Sequence, residues 1–158
     1  MLAFVAAAML LPVNPFLTAK AGDWWVLETR QESGPRRVRW EIVKIKGDEL
    51  DIRLRNLDAP SEQAVMTRAS RSAPLLSLYD LDAPSPPLIS AEECTLGDRK
   101  LSCKKLAYKV EGLEVTAYFS DQVNGGLLSA SSSGAFGSVS TRLVAYGTAK
   151  KVTFGKAP

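Results

Sequence analysis

Residues Cys103–Phe119 read CKKLAYKVEGLEVTAYF, and the fold prediction starts from this stretch. Apolar and polar side chains alternate on both sides of Glu111-Gly112, and alternation places successive side chains on opposite faces of a strand. A two-residue turn at this dipeptide brings the two apolar faces together. Glu111 is a poor first residue for such a turn, so a slightly longer loop is the alternative. The predicted register pairs Val110 with Leu113, Tyr108 with Val115, Leu106 with Ala117, Lys109 with Glu114 and Lys105 with Tyr118.

A second hairpin is predicted over residues 36–57, around Gly47-Asp48. Glycine in the first position suits a two-residue type II′ turn. The apolar phase changes between Ile42 and Val43, and a β-bulge there restores the match and bends the sheet. The predicted register pairs Lys46 with Glu49, Ile45 with Leu50, Lys44 with Asp51, Val43 with Ile52, Glu41 with Arg53 and Trp40 with Leu54.

Residues 1–21 have the features of a secretory signal peptide. Residues 2–11 are an apolar core of suitable length, and Ala19-Lys20-Ala21 is an A-x-A cleavage site before Gly22. The apolar run is shorter than the about 20 residues that a transmembrane helix needs. Because no Lys or Arg precedes it, a hydrophobic helix that stays attached is the alternative. We expect an exported bacterial protein, periplasmic or secreted, with no transmembrane span in its mature chain.

Residues 22–158 have the length of a single domain. The formal net charge of the whole chain is +3 at pH 7, too balanced to indicate a nucleic-acid partner. Arg36, Arg37, Arg39, Lys104 and Lys105 form basic clusters, but acidic residues are interspersed along the same hairpins. A solvated strand face is the preferred interpretation of these clusters, and contact with an anionic headgroup or polymer is the alternative.

The first strand of the domain contains Trp24 and Trp25, which must point to opposite faces. Most aromatic residues lie in alternating strand frames and are interpreted as core. A curved antiparallel sheet with one apolar face must cover that face with a helix, a loop or a ligand. If a ligand covers it, the candidate lining residues are Trp24, Trp40, Leu54, Tyr108, Val115 and Phe119.

A proline-rich segment occupies about residues 69–90. Proline removes backbone donors, which disfavours a central strand here. Within it, Leu75, Leu76, Leu78 and Tyr79 place apolar side chains on nearly all sides of a short turn. We interpret the segment as an ordered loop packed on the core, and the alternative is a lid over a pocket.

Cys94 and Cys103 are the only cysteines, and Leu96-Gly97-Asp98 is a turn between them. In an oxidising compartment, a pair that flanks a turn predicts a disulfide. A metal site is not expected, because the chain has no C-x-x-C motif and no histidine.

The absence of histidine also argues against Ser-His-Asp and Cys-His catalysis. Neither of the common glycine-rich phosphate-binding loops is present. Glu92-Glu93 is a candidate carboxylate pair, but adjacent acids on a strand point to opposite faces. Asp80 and Asp82 are interpreted as turn-forming residues. We therefore expect no enzyme activity and no cofactor, with carboxylate-based catalysis as the remaining enzymatic possibility.

The segments CKKLAY, AYFSDQV, GGLL and LVAYG, within residues 94–147, resemble those of short exported bacterial proteins of unknown function. Such chains are similar to the lipoprotein carriers (LolA/LolB-like). The resemblance implies an incomplete antiparallel barrel with an apolar concavity. Asn124 stands where a proline is expected.

The sequence thus predicts an all-β domain, a single strongly curved, half-barrel-like antiparallel sheet built from hairpins, preceded by a signal helix. The predicted function is binding of an apolar small molecule or a lipidated or extended partner segment in the concavity. The alternative is a structural or protein-interaction domain of the cell envelope with a filled core.

Overall fold

A computed structural model describes residues 14–73, 75–81 and 87–158. The predicted signal-peptide core and helix, in residues 1–13, lie outside the described residues, as do Pro74 and residues 82–86 of the proline-rich segment. The strands are β1 (Trp24–Gln31), β2 (Gly34–Lys46), β3 (Glu49–Asn56), β4 (Val65–Ser70), β5 (Leu88–Leu96), β6 (Arg99–Val110), β7 (Leu113–Phe119), β8 (Leu127–Gly134), β9 (Gly137–Thr148) and β10 (Lys151–Phe154). A short helix, α1, spans Leu75–Leu78.

The ten strands form one antiparallel sheet in the order β4-β3-β2-β1-β9-β8-β7-β6-β5, with β10 also paired to β9. Strands β1–β4 form one meander and β5–β9 another. The two meanders meet where β1 pairs with β9, which we call the seam. The sheet is not closed, since β4 and β5 are its two edges. The predicted half-barrel-like curved sheet is confirmed.

The hairpin of β6 and β7 has the predicted register, including Tyr108 opposite Val115 and Lys109 opposite Glu114. Its turn has only two residues, Glu111 at φ 47° and Gly112 at φ 81°. The longer loop is therefore not needed, because Glu111 adopts the left-handed conformation that a primed turn requires.

The hairpin of β2 and β3 has the predicted turn, with Gly47 at φ 60°, and the predicted bulge. Lys46, Lys44 and Trp40 have their predicted partners. The predicted pair of Val43 with Ile52 is wrong, because Ile42 takes that place and Val43 is the extra residue of the bulge. Ile42 is buried while Val43 is partly exposed, so burial of the better-placed isoleucine decides the register.

The Ser-, Gly- and Ala-rich residues 129–140 lie in two paired strands and their turn, since β8 ends at Gly134 and β9 begins at Gly137 directly opposite. Phe136, in the turn between them, is 100% exposed.

The core lies on the concave face of the sheet. Trp25 is fully buried, and its ring stacks on that of Trp40 with centroids 5.9 Å apart. Leu106, Ala117 and Phe119 continue the core on the second meander. Both meanders therefore contribute to one apolar cluster, which the seam holds together.

Cys94 and Cys103 form the predicted disulfide. Cys94 lies opposite Leu101 in the β5–β6 hairpin, so Cys103 is its diagonal neighbour on the same face. The Cα atoms are 6.1 Å apart, within the usual range for disulfides. The bond closes the end of a hairpin whose turn, at Gly97, lies against the ring of Phe154 in β10.

The described fold begins before Gly22, where the domain was predicted to start. Phe16 is buried in the concave core and lies beside Trp25, with ring centroids 6.1 Å apart. The carbonyl of Ala19 accepts a hydrogen bond of 3.1 Å from Nη2 of Arg71. Residues 14–21 thus pack against the domain as an extra element on its concave side.

Candidate functional site in the concave face

The connection between the two edge strands crosses the concave face. Its described residues are 71–73, 75–81 and 87, and we call the segment Leu75–Leu81 the lid. Leu75, Leu76, Leu78, Tyr79 and Leu81 are partly buried and pack against the core cluster. The interpretation of this segment as an ordered loop packed on the core fits these contacts. Cavities lie on either side of it, and the alternative interpretation as a lid over a pocket stays a prediction.

The lid has a defined backbone because its helix ends in a Schellman motif. The N–H of Leu81 donates to the carbonyl of Leu76 at 3.0 Å, and the N–H of Asp80 donates to Ser77 at 3.5 Å. Asp80 has φ 52°, the left-handed conformation required after the helix. This geometry agrees with the interpretation of Asp80 as a turn-forming residue.

Tyr79 fastens the lid to the opposite side of the concavity. Its hydroxyl donates a 2.5 Å hydrogen bond to the carbonyl of Gly125, in the loop between β7 and β8. Its ring lies 5.5 Å from that of Trp40. Burial raises the pKa of the Tyr79 hydroxyl well above its usual value. The hydroxyl therefore stays protonated and acts as a donor at neutral and moderately alkaline pH.

A cavity of about 440 Å³ lies between the lid and strands β3 and β4. Trp40 and Leu54 form its floor, Thr67 and Ala69 of β4 its side, and Leu78 its cover. Trp40 lies opposite Leu54, and the pairing of β3 with β4 places alternate side chains of β4 on the same side of the sheet as Leu54. These strand residues therefore share one face. The volume falls within the range of small-molecule sites, about 300–1,000 Å³.

Two further cavities lie on the other side of the lid. One, of about 200 Å³, is enclosed by Leu27, Leu78, Tyr79 and Ala130 among others. The second, of about 480 Å³, extends over Tyr108 and Val115 on the far meander. Tyr79, Asp80 and Leu81 line both of these cavities, and Asp80 also lines the first cavity. The lid therefore lies between these spaces and the first cavity, together with Trp40, which lines the first cavity and the 200 Å³ one. A movement of the lid would join them.

Four of the six predicted lining residues line cavities, Phe119 lies in the core, and Trp24 lies on the other face. Trp40 and Leu54, and likewise Tyr108 and Val115, line cavities on the two sides of the lid. Phe119 is buried in the core and lines none of these cavities. Of the predicted lid residues, Leu75, Leu78 and Tyr79 line cavities, and Leu76 packs on the core.

The prediction for Trp24 is wrong, because Trp24 lies on the convex face. It belongs to a separate small cluster with Val26 and Ala145. The guanidinium of Arg39 covers its ring at 4.6 Å, and its indole N–H donates to Thr148 at 2.8 Å. Trp25 takes the concave position instead.

Sequence reasoning missed a fourth cavity, of about 210 Å³, at one end of the concavity. Phe16, Ala19, Trp25 and Gly125 contribute to its walls. The indole Nε1 of Trp25 is buried and has no hydrogen-bond partner among the described residues. The sequence signal was the dipeptide Gly125-Gly126, where both residues have positive φ and allow close approach of the backbone to neighbouring side chains.

Asn124 lies in the loop between β7 and β8, at the position where a proline was expected, and its side chain holds this loop in place. Its side-chain amide donates to the carbonyl of Trp24 at 3.1 Å and to that of Gly147 at 2.6 Å. These two carbonyls lie on the paired strands β1 and β9. The side chain therefore fixes the loop to the end of the seam.

Several charged residues form ion pairs at the surface. Glu92 and Glu93 face different lysines, at 3.7 Å from Lys105 and 2.9 Å from Lys100. Arg37 pairs with Asp58. These contacts agree with solvated strand faces. Asp82, the second acid of the other candidate pair, lies outside the described residues.

Glu28 is the least exposed of the paired acids. The hydrogen bond from Arg30, opposed by desolvation and supported by Arg142, holds the pKa of its carboxyl below the usual value. Both arginines reach Oε1 of Glu28, at 2.9 Å and 3.0 Å. Since Arg142 belongs to β9, this cluster spans the seam.

Within residues 14–73, 75–81 and 87–158, no group of three or more potential ligands is placed to hold a metal ion. Across the same residues, no helix has the length and apolar character needed to cross a membrane.

No family model and no curated protein matches this chain. Among solved structures, it is similar to the hypothetical protein CT021 from Chlamydia trachomatis, with a TM-score of 0.49 and 16% sequence identity. The match covers 91% of this chain and 95% of that chain. These comparisons do not confirm the resemblance to lipoprotein carriers, which stays a prediction.

Proposed function

We propose that this protein is an exported, non-enzymatic domain that binds an apolar ligand, the acyl chain of a free lipid or of a lipidated partner, in the concave face of its sheet. The observation that supports this function is the position of the lid. This single short segment lines cavities of about 440, 200 and 480 Å³ and packs against the core through its side chains.

The lining suits an apolar chain with a polar end. Leu54, Leu78 and Trp40 offer aliphatic and aromatic surface, whereas Thr67 and Ser70 supply hydroxyl groups to the lining of the 440 Å³ cavity. Ligand sites of this kind combine mostly apolar walls with a few polar groups that orient the ligand. Burial of apolar area supplies the binding free energy, at about 25 cal/mol per Å².

The alternative function is a structural or protein-interaction domain, and one observation favours it. The lid residues Leu75, Leu76 and Leu78 already pack against the core and fill part of the concavity. In that case the cavities are imperfections of packing, and no apolar ligand binds with measurable affinity.

Two variants on one strand distinguish the functions. Thr67 lines the 440 Å³ cavity, while Met66, its neighbour on β4, is exposed and points to the other face. We expect Thr67→Trp to fill the cavity and weaken the binding of laurate at least about 10-fold, and Met66→Trp to change it less than about 2-fold. Isothermal titration calorimetry of the folded variants, made in the chain that begins at the expected Gly22, measures both. Absence of saturable laurate binding by that chain without substitution would support the interaction domain.

A further inference from the structure

The segment Asn14–Ala21, which precedes the expected cleavage site, occupies one end of the concave site. We call it the leader end. Phe16 is only 4% exposed, whereas its neighbour Leu17 is 67% exposed. The ring of Phe16 forms a wall of the 440 Å³ cavity and a wall of the 210 Å³ cavity. A single side chain of the leader end thus separates two cavities.

The leader end also forms hydrogen bonds with Arg71, which precedes the lid in the chain. The side-chain amide of Asn14 donates to the carbonyl of Arg71, and Nη2 of Arg71 donates to the carbonyl of Ala19. Arg71 immediately follows β4, at the base of the lid. A side chain on Gly126 would lie 2.7 Å from Pro15 and 2.9 Å from Leu75, so leader end and lid meet over the same glycine.

We propose that the leader end is a removable occupant of the binding site. Cleavage after Ala21 removes Phe16, joins the two cavities and frees the base of the lid, so that the processed chain accepts an acyl chain that the precursor excludes. This inference rests on the proposed function, and it adds the step that makes the site available.

The vacated space suits such a ligand. An apolar cavity of about 150 Å³ stays dry and binds benzene-sized molecules. Removing a phenylalanine ring beside Trp25 and between two existing cavities leaves at least such a space. Arg71 then loses the acceptor at Ala19, and its Nε is already buried with no partner among the described residues. A carboxylate or carbonyl at the end of the acyl chain would find a donor there.

The test uses the full chain, produced without export and oxidised to form its disulfide. Phe16→Ala imitates the removal of the ring, and Leu17→Ala is the matched control on the exposed neighbour. We expect laurate to bind Phe16→Ala at least about 10-fold more tightly than the unmodified full chain, and to bind Leu17→Ala as it binds the unmodified chain. Equal laurate affinity of all three chains overturns the inference.

Exported protein provides the second measurement and does not depend on a variant that folds. Its intact mass should correspond to a chain beginning at Gly22, and the lid amides of residues 75–81 should exchange with deuterium at least about 10-fold faster than in the full chain. A mass that includes Phe16, or unchanged exchange in the lid, overturns the inference. If laurate binds the full and processed chains equally, the proposed function stands and the leader-end inference fails.

Two ligands separate the possible sources of the acyl chain. Laurate represents a free fatty acid, and a lauroylated hexapeptide represents a lipidated protein. Tighter binding of one by the processed chain assigns the source, and binding of neither overturns both the inference and the proposed function.

Substitution of Arg71 by Met should weaken laurate binding about 10-fold and leave dodecanol binding within about 2-fold, because only laurate carries a carboxylate.

Discussion

The hydrogen bond between Tyr79 and Gly125 is the most direct point at which to perturb the lid. Tyr79→Phe keeps the ring against Trp40 and leaves the carbonyl of Gly125 without its 2.5 Å donor. An unsatisfied buried acceptor costs about 1–3 kcal/mol. For a chain of this size we expect the melting temperature to fall by about 3–10 °C. Thermal unfolding followed by tryptophan fluorescence measures this loss.

The same variant should change the dependence of stability on pH. Because the pKa of Tyr79 is raised in the folded protein, its contribution is complete below the pKa of the unfolded chain, about 10, and is lost as pH rises above it. The loss has a slope of about 1.4 kcal/mol per pH unit for one group. We expect Tyr79→Phe to lack this component, so the difference in unfolding free energy between the two proteins narrows above pH 10.

Tyr118→Phe is the control, because it makes the same chemical change on a strand residue whose ring lies 5.9 Å from Nζ of Lys105. We expect its unfolding free energy to stay within about 0.5 kcal/mol of the unmodified protein. If Tyr79→Phe and Tyr118→Phe have the same stability at pH 7 and parallel curves up to pH 12, the lid is not held by this hydrogen bond.

Three further perturbations test other parts of the structure. Reduction of the Cys94–Cys103 disulfide should lower the unfolding free energy by about 2–3 kcal/mol, measured by urea denaturation with and without reductant, and no change would mean that the hairpin end is already rigid. Gly125→Ala should destabilise by more than about 3 kcal/mol, because its Cβ would overlap the indole beneath it, whereas Gly112→Ala, also at positive φ but with open space around it, should cost only about 1 kcal/mol. Since the pKa of Glu28 is lowered in the folded protein, its contribution is present above pH 4.5 and is lost as pH falls through the lowered value, so Glu28→Gln should flatten the acid limb of the stability curve. Parallel acid limbs for the two proteins would contradict this assignment.

The hairpins could be predicted because their information is local. Alternation around Glu111-Gly112 and the glycine at position 47 set turn and register within a few residues. The error at Val43 has the same origin. Alternation located the bulge, but it could not say which of two adjacent apolar residues is the extra one, since that depends on burial by distant elements.

The site was less predictable, because its geometry depends on distant pairings. Trp24 and Trp25 are equivalent in the sequence pattern, and only the pairing of β1 with β9 and the position of Asn124 decide which one faces the concavity. Phe16 lies within the expected signal peptide, so it was not considered as a core residue. The lid residues were identified from composition, but their crossing of the concavity follows from the position of β4 and β5 at opposite edges of the sheet.

The seam has a consequence for the order in which the molecule folds. Among the described strands, every pairing except that of β1 with β9 joins neighbours along the chain, whereas Trp24 must find Gly147. The entropy of closing so long a loop must be offset before the contacts across it contribute, and such distant pairings slow folding. Before β9 is available, the chain can form its hairpins, but its two meanders cannot pair at the seam. Export of the kind proposed would benefit from this delay, because the polypeptide forms only short local hairpins until its last strands are available.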